Sequence, residues 1–143
     1  MHKMYQIKEE RKPLLPLNDI CAEFATILGG TPKLNKEEGT CSISLTRKDL
    51  SVTLWGIPTN LPLATSFSFQ TLPCESRTLN LGDIILLQEE VPCALEILSQ
   101  EGITASAMHN HWLLDEPHLM YVHVQAIMDP LKFAKVIAQF FGR

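Results

Sequence analysis

The sequence lacks the patterns that identify several common functional classes. Its four cysteines form no C-x-x-C pair, so we expect neither a zinc knuckle nor a thioredoxin-like motif. It has no G-x-S-x-G turn, which argues against a serine hydrolase of the α/β type. No apolar run reaches the ~18 residues of a membrane span, and the N-terminus shows no secretory signal. We therefore expect a soluble, cytoplasmic protein with no membrane partner.

Basic residues are few and scattered. The chain has 12 Lys and Arg against 16 Asp and Glu, a net charge of −4. Nucleic-acid-binding proteins usually carry a basic stripe, so we expect no nucleic-acid partner. The letters H-N-H at His109 to His111 do not indicate an HNH nuclease, because in that class the named residues are dispersed over a ββα motif. The widely spaced cysteines are expected to be buried thiols.

The chain carries the alternation of helical and strand periods typical of one α+β domain. "NDICAEFATILGG" predicts a helix that begins at Asn18 or Asp19 and ends at Gly29-Gly30. "CSISLTR" and "LSVTLWG" alternate with period two and predict a hairpin, and a cap at Asp129 precedes the final helix. The predicted order is αββββαββα, with helices packed on a mainly antiparallel sheet. The predicted organisation is an arm at 1–17 and a single domain at 18–143.

Four of the five histidines are concentrated in one short segment, "SAMHNHWLLDEPHLMYVH". Side chains two apart in a strand share a face, so His109 and His111 point the same way. The strand "HLMYVHVQA" places its aliphatic residues on one face and His123 on the other. A pairing register with an even residue sum puts His123 beside the other two, and a slip of one residue reverses this.

Three converging imidazoles match the ligand set that Zn²⁺, Mn²⁺, Fe²⁺ or Cu²⁺ prefers, at ~2.1 Å. Glu89 and Glu90 end the apolar strand "DIILLQEE". Since burying an unpaired acid is costly, one of them is the expected fourth ligand. The sequence thus predicts a transition-metal site on His109, His111 and His123 with a carboxylate, and leaves the metal's identity open.

Three functional classes fit such a cluster. The first is a metal-dependent enzyme that acts on a small molecule, with Trp112 or Tyr121 lining its pocket. The second is a sensor or binding module that uses the same site without turnover. The third is an interaction protein whose histidines form ordinary hydrogen bonds on a sheet face.

The run "LNLGDIILLQEEVPCALEILSQEGITASAMHNHWLLDEPHLMYVHVQA" resembles the signature of the LppY/LpqO family, a bacterial domain of unknown function. The matching positions are Gly82, Asp83, Glu90, Val91, Gly102, Ile103, His109, Asn110, His111, Pro117 and His123. The resemblance covers about the last half of the chain, with "ATSFSFQ" a weaker upstream match. It implies Glu90 rather than Glu89 as the carboxylate and selects the same three histidines, but it implies no reaction.

This chain departs from that family's pattern in two ways. Many members are exported lipoproteins, whereas this chain has no lipobox cysteine after an apolar signal. Many look like tandem copies, whereas this chain holds one, so we expect two copies to associate as a homodimer. The apolar segments "GIPTNLPLA" and "FAKVIAQFFG" offer a surface for it. The alternative is that Phe140 and Phe141 complete the core of the monomer.

Overall fold

The computed structural model describes residues 15–141 and shows three helices and nine strands in that range. The helices are α1 (Leu17–Leu28), α2 (Val91–Gln100) and α3 (Pro130–Ala138). The strands are β1 (Thr31–Asn35), β2 (Thr40–Thr46), β3 (Val52–Leu54), β4 (Ile57–Thr59), β5 (Ala64–Thr71), β6 (Thr78–Leu87), β7 (Thr104–Asn110), β8 (Asp115–Glu116) and β9 (Leu119–Met128). The α+β class and the order of elements are confirmed. Most of the expected arm lies outside the described residues.

The main sheet has six antiparallel strands in the order β1-β2-β5-β6-β9-β7. Strand alternation turns aromatic and aliphatic side chains of its inner strands, such as Phe67 and Phe69, toward the main core. Helices α1 and α3 add Phe24 and Phe133, both fully buried, to the same core. This sheet places β7 at an edge and β9 beside it.

Gly82 on β6 faces Phe67 on β5. A Cβ atom at position 82 would lie 2.1 Å from the Phe67 ring, so no larger residue fits there without a shift of the ring. The glycine thus lets Phe67 close over the strand that carries Asp83.

Strands β3, β4 and β8 form a small second sheet in the order β4-β3-β8. Its core cluster contains Val52, Leu63, Ile85, Leu119 and Tyr121. Because Ile85, Leu119 and Tyr121 belong to β6 and β9, this cluster packs on part of the main sheet. None of the helices in residues 15–141 is long and apolar enough to cross a bilayer.

The hairpin expected between "CSISLTR" and "LSVTLWG" is wrong. Strand β2 pairs with β1 and β5, while β3 belongs to the small sheet and pairs with β4 and β8. The physical reason lies at Arg47, which is 4% exposed and binds the Ile85 carbonyl and Glu90. Because of these inward contacts, the chain passes from β2 in the main sheet to β3 in the small sheet and does not form a hairpin.

The helix ends follow the expected caps in part. Helix α1 begins at Leu17, so Asn18 and Asp19 lie inside its first turn and neither caps it. Its end is confirmed: Gly29 is left-handed at φ 83° and donates to the Ala25 carbonyl at 2.7 Å. The cap of α3 is also confirmed, since Asp129 Oδ2 accepts a hydrogen bond from the Lys132 N–H at 2.9 Å.

The expectation of four buried thiols is wrong. Cys21 on α1 and Cys41 on β2 are buried, but they form a disulfide. Cys74 and Cys93 are free thiols and exposed. Cys21 and Cys41 are 20 residues apart, so no short spacing motif in the sequence predicts their pairing.

Candidate functional site

The alternation of β9 places His123 away from the main core. Val122, Val124 and Ala126 are buried in the main core, while His123 between them is only half-buried. In the register of β7 with β9, His109 lies opposite Tyr121, which is an even-sum pairing. His109 therefore shares the face of His123, as parity predicts for that register.

The two histidines contact each other across the strands. The Nε2 atoms of His109 and His123 lie 2.9 Å apart, and the ring centroids are 5.0 Å apart. A bulge between Ala105 and Ala107 shifts the register of β7, and Ala107 lies opposite His123 beyond it. His109 is consequently a diagonal neighbour of His123, close enough for the rings to meet.

Asp83 on β6 orients His123 from the opposite side. Asp83 lies directly across from His123 in the β6–β9 ladder, and its Oδ1 contacts His123 Nδ1 in a hydrogen bond. A carboxylate accepts, so His123 donates through Nδ1–H and keeps a lone pair on Nε2. That lone pair faces His109, and the three side chains form a polar row across β6, β9 and β7.

His111 follows the end of β7 and is exposed. Its ring lies 5.3 Å from that of His109, and 4.4 Å and 4.7 Å from the rings of Trp112 and Tyr121. The structure therefore brings the three predicted histidines into one group, with His109 in the middle. Within residues 15–141, no three His, Cys, Asp or Glu side chains are already arranged to hold a metal ion.

Tyr121 holds the aromatic edge of this group in place. Its hydroxyl donates to the Pro62 carbonyl at 2.6 Å and accepts from Trp112 Nε1–H at 3.0 Å. Burial raises the pKa of Tyr121, Asp83 and Asp115 raise it further, and the hydrogen bond from Trp112 lowers it. Tyr121 thus stays a neutral phenol whose hydroxyl is already engaged, and its role is to position Trp112.

Glu90, the predicted fourth ligand, has other partners in the structure. Its carboxylate makes two bonds to the Arg47 guanidinium, at 2.6 Å and 2.7 Å, and accepts the Leu87 N–H at 2.7 Å. The hydrogen bond from Arg47 is the main reason that the pKa of Glu90 is lowered; burial opposes it. The carboxylate that the structure places beside the histidines is Asp83.

All the N–H donors of the Arg47 guanidinium are used in hydrogen bonds to neighbouring residues. Burial lowers its pKa, but hydrogen bonds to Glu90 and Asp49 outweigh this and the pKa is raised. Its guanidinium nitrogens bind Glu90, Asp49 and the Ile85 carbonyl. A cavity of about 450 Å³ borders Arg47, but a guanidinium with five hydrogen bonds has no donor left for a ligand there. We therefore place the candidate site at the histidines.

His118 stands apart from the other histidines. Its Nδ1 contacts Asp115 Oδ1 at 3.0 Å, and Asp115 Oδ2 accepts the Leu119 N–H at 2.9 Å. This pair joins β8 to the start of β9, so His118 has a structural role. The sequence pattern did not include His118 among the predicted ligands, and the structure gives it separate partners.

Residues 22–142 match the family model described as "Domain of Unknown Function (DUF1259)". The chain belongs to this family. No curated protein and no solved structure matches the chain. The DUF1259 match covers every residue of the polar row, and the family description prints no activity, so a function must be argued from the site.

Asp83 is the site residue of this DUF1259 domain whose role the sequence pattern did not indicate. It stood among the positions of the LppY/LpqO resemblance, but without a role. The available signal was the G-D pair in "LGDIILL", an acid one residue before a buried run. Assigning it to His123 needed the β6–β9 register, which strand alternation alone does not provide.

Proposed function

We propose that His109, His111 and His123 bind one transition-metal ion, with Asp83 as the carboxylate that orients His123. The observation that carries this is the row Asp83–His123–His109. In metal sites, a ligating histidine usually donates its other ring N–H to a carboxylate or carbonyl, which fixes the tautomer and turns the free nitrogen toward the metal. His123 already has this arrangement.

The separation of the two facing nitrogens supports the same conclusion. Metal–nitrogen bonds of about 2.1 Å place two ligand nitrogens about 3.0 Å apart at the 90° angle of an octahedral or square-planar site, and about 3.4 Å apart at the tetrahedral angle that Zn²⁺ prefers. The Nε2 atoms of His109 and His123 are 2.9 Å apart. A small outward shift of either ring opens the space between them for an ion.

His111 supplies the third nitrogen in this proposal. Its ring neighbours that of His109 and is exposed, so rotation about its side-chain bonds meets little resistance from packing. Zn²⁺, Mn²⁺, Fe²⁺ and Cu²⁺ all accept an imidazole and carboxylate environment, and the remaining positions of the ion are open to water or a small ligand. Trp112 borders that open side.

The proposed site suits either a metal-dependent enzyme or a metal sensor. In an enzyme, the three histidines would hold an ion that activates water for attack on a small substrate. In the sensor, the ligand binds without turnover. We propose the metal site first and treat turnover as the property that separates the two.

Elemental analysis tests the proposal directly. Protein made without a nickel column is dialysed against each of the four metals and then against buffer, and bound metal is counted. We expect about one equivalent in the wild type, strong loss in His109→Ala and His123→Ala, and no change in the matched control His118→Ala. The proposal fails if no metal is retained, or if the triple variant at positions 109, 111 and 123 retains as much as the wild type.

A second candidate function needs no metal. The 2.9 Å distance is also that of a direct hydrogen bond from His109 to His123, so the row is a path that can pass a proton from His109 through His123 to the Asp83 carboxylate. This candidate is favoured if the wild type binds no metal while His123→Gln and Asp83→Asn abolish turnover in a substrate screen.

The Cys21–Cys41 disulfide favours one kind of cellular compartment. Disulfides persist in oxidising environments and are rare in the cytosol, where thiols are kept reduced. We therefore propose, against the cytoplasmic expectation, that the protein works in an oxidising compartment. Alkylation of the protein in intact cells decides it: two blocked thiols, Cys74 and Cys93, support the proposal, and four overturn it.

Membership of the LppY/LpqO family also stays a proposal, resting on the quoted signature. The signature and the polar row share Asp83, His109 and His123, and the signature also contains His111. An alignment of LppY/LpqO and DUF1259 sequences at these four positions tests it.

A further inference from the structure

Strand β7 is an edge of the main sheet that is open to pairing with another strand. Within residues 15–141 it pairs with β9 alone, so its other side presents backbone N–H and C=O groups to no strand. Edge strands usually carry Lys or Pro, which discourage pairing with another chain. The opposite edge, β1, has Pro32 and Lys33, whereas residues 102–114 contain no Pro, Lys, Arg, Asp or Glu. Of the two edges of this sheet, β7 is therefore the one that accepts a further strand.

A groove of about 340 Å³ lies between α2 and the start of β7. Its apolar lining includes Leu95 and Leu98 from α2, and Ile103 and Ala105 from the other side. Leu98 and Ile103 are buried, while Leu95 is half-buried. We call this feature the α2–β7 groove, and its lining suits an aliphatic or thioether side chain.

Met108, near the end of β7, points to the same face as the groove. Ala105 lies opposite Val124 and Met108 opposite Val122, and both valines are buried in the main core. Directly opposed residues in a sheet share a face, so Ala105 and Met108 both point to the side that carries the helices. They share it although they are three residues apart, because the bulge between Ala105 and Ala107 inserts one extra residue. Met108 is 46% exposed, so a large apolar side chain stands uncovered beside the open edge.

We propose that a second copy of this chain adds its β7 antiparallel to this edge, with Ala105 of each copy opposite Met108 of the other. This register also sets Thr104 opposite His109, and both of these point to the face away from the helices. Faces therefore match on both sides of the bulge. The Met108 side chain of each copy enters the α2–β7 groove of the other, so one twofold axis fills both grooves.

The second copy is the occupant because the edge is complementary to itself. A groove lies at one end of β7 and an exposed apolar side chain near the other, and an antiparallel pairing brings each to its counterpart twice. Like charges do not meet, since residues 102–114 carry no Asp, Glu, Lys or Arg. The bulge restricts the new ladder to short stretches on either side of the axis, so burial of Met108 supplies a large part of the driving force.

The pairing also reaches the proposed metal site without depending on it. His109 lies on β7 with His123 on its β9 side, and the second copy's Thr104 comes to its open side. The interface thus adds a hydroxyl beside the histidines. Its apolar contacts form with or without a metal ion, so failure of the metal proposal leaves the interface standing.

The mass in solution tests the interface. The full chain is studied by light scattering at micromolar concentration and by sedimentation over a dilution series. The test variant is Met108→Lys, which removes the apolar side chain and places a charge on the edge. The matched control is Ile57→Ser, which changes an exposed apolar residue of "GIPTNLPLA" in the small sheet. Circular dichroism checks that each variant is folded.

Cysteine cross-linking tests the register and does not need Met108→Lys to fold. In a Cys74→Ser, Cys93→Ser background, the variants Ala105→Cys and Met108→Cys are mixed and oxidised. The proposed register puts these two positions directly opposite each other, within reach of a disulfide. Two copies of Ala105→Cys alone place their cysteines roughly 8 Å apart, beyond that reach.

The wild type and Ile57→Ser are expected at twice 16.1 kDa, and Met108→Lys is expected to raise the dissociation constant of the dimer at least about tenfold. The mixed cysteine variants are expected to form a covalent dimer that Ala105→Cys alone does not form. A monomeric wild type overturns the proposal, and so does a dimer that Met108→Lys leaves unchanged. Dissociation by Ile57→Ser, or absence of the mixed cross-link, also overturns it.

Discussion

Asp83 and His123 show how a single pair of residues sets the chemistry of the site. Asp83 accepts from Nδ1–H of His123 and so determines which nitrogen faces His109. Without that carboxylate, the ring is free to adopt the other tautomer or to turn away. The pair is held by the β6–β9 ladder, where the two residues lie opposite each other.

We predict that Asp83→Asn lowers metal affinity by about 10–100-fold while the fold is kept, since an amide is a weaker acceptor for Nδ1–H than a carboxylate. Titration with Zn²⁺ against a competing chelator measures this. Glu89→Gln, an exposed acid outside the row, serves as the control. Equal affinity in wild type and Asp83→Asn would remove Asp83 from the site.

Glu90 leads to a prediction about pH. Its pKa lies below the ordinary value of 4.5, mainly because Arg47 donates to its carboxylate. A carboxyl with a lowered folded-state pKa stabilises the fold above its unfolded-state pKa, and that contribution is lost as pH falls through the folded-state value. The Arg47–Glu90 pair should therefore fail in acid.

We predict that Glu90→Gln lowers the free energy of unfolding by about 1–2 kcal/mol near neutral pH, since the carboxyl is partly exposed and the loss is discounted for solvent screening. The gap between wild type and variant should close as pH falls below 4.5, the ordinary carboxyl pKa, and through the lowered pKa of Glu90 in the folded state. Urea denaturation at several pH values measures both. A gap that is constant with pH would contradict the ion pair.

At the scale of elements, the disulfide joins α1 to β2 across the main core. Cys21 and Cys41 enclose a loop with a sequence separation of 20 that also contains β1. Closing a loop of that length removes conformational entropy from the unfolded chain. The bond thus holds the first helix against the sheet.

We predict that Cys21→Ser with Cys41→Ser lowers the free energy of unfolding by about 3 kcal/mol, as expected for a loop of this size. Denaturation with and without a reductant measures it in the wild type. Cys74→Ser with Cys93→Ser is the matched control, because both thiols are exposed and free. Four reactive thiols in the unreduced, denatured wild type would show that the bond does not form.

At the scale of the whole molecule, the structure narrows the surfaces available for self-association. Phe133, Val136 and Ile137 are buried in the main core, and Phe140 and Phe141 pack against it. Residues 133–141 of the segment "FAKVIAQFFG" therefore contribute to the monomer core. The segment "GIPTNLPLA" leaves Ile57 and Leu61 exposed.

The homodimer stays a prediction from the sequence, and the exposed apolar residues of "GIPTNLPLA" are the part of the predicted surface that still supports it. Light scattering at micromolar concentration measures the mass. Twice 16.1 kDa supports the dimer, and a mass near 16.1 kDa contradicts it.

Local patterns in the sequence determined the elements and part of the site. Period-two alternation predicted that His123 lies on the face of β9 that points away from the main core. In the observed register, parity puts His109 on the same face. The cap at Asp129 and the glycine end of α1 are also local, since each involves residues within four positions. Such features depend on backbone geometry that neighbouring residues set by themselves.

Only the tertiary structure decided which distant residues meet. Asp83 and His123 are 40 positions apart, Arg47 and Glu90 are 43 apart, and Cys21 and Cys41 are 20 apart. The order of strands in the sheet and the exact register set these contacts, and a one-residue slip reverses every face. Asp83 lies within β6 and Glu90 follows its end, and only the fold pairs Glu90 with Arg47 and Asp83 with the histidines.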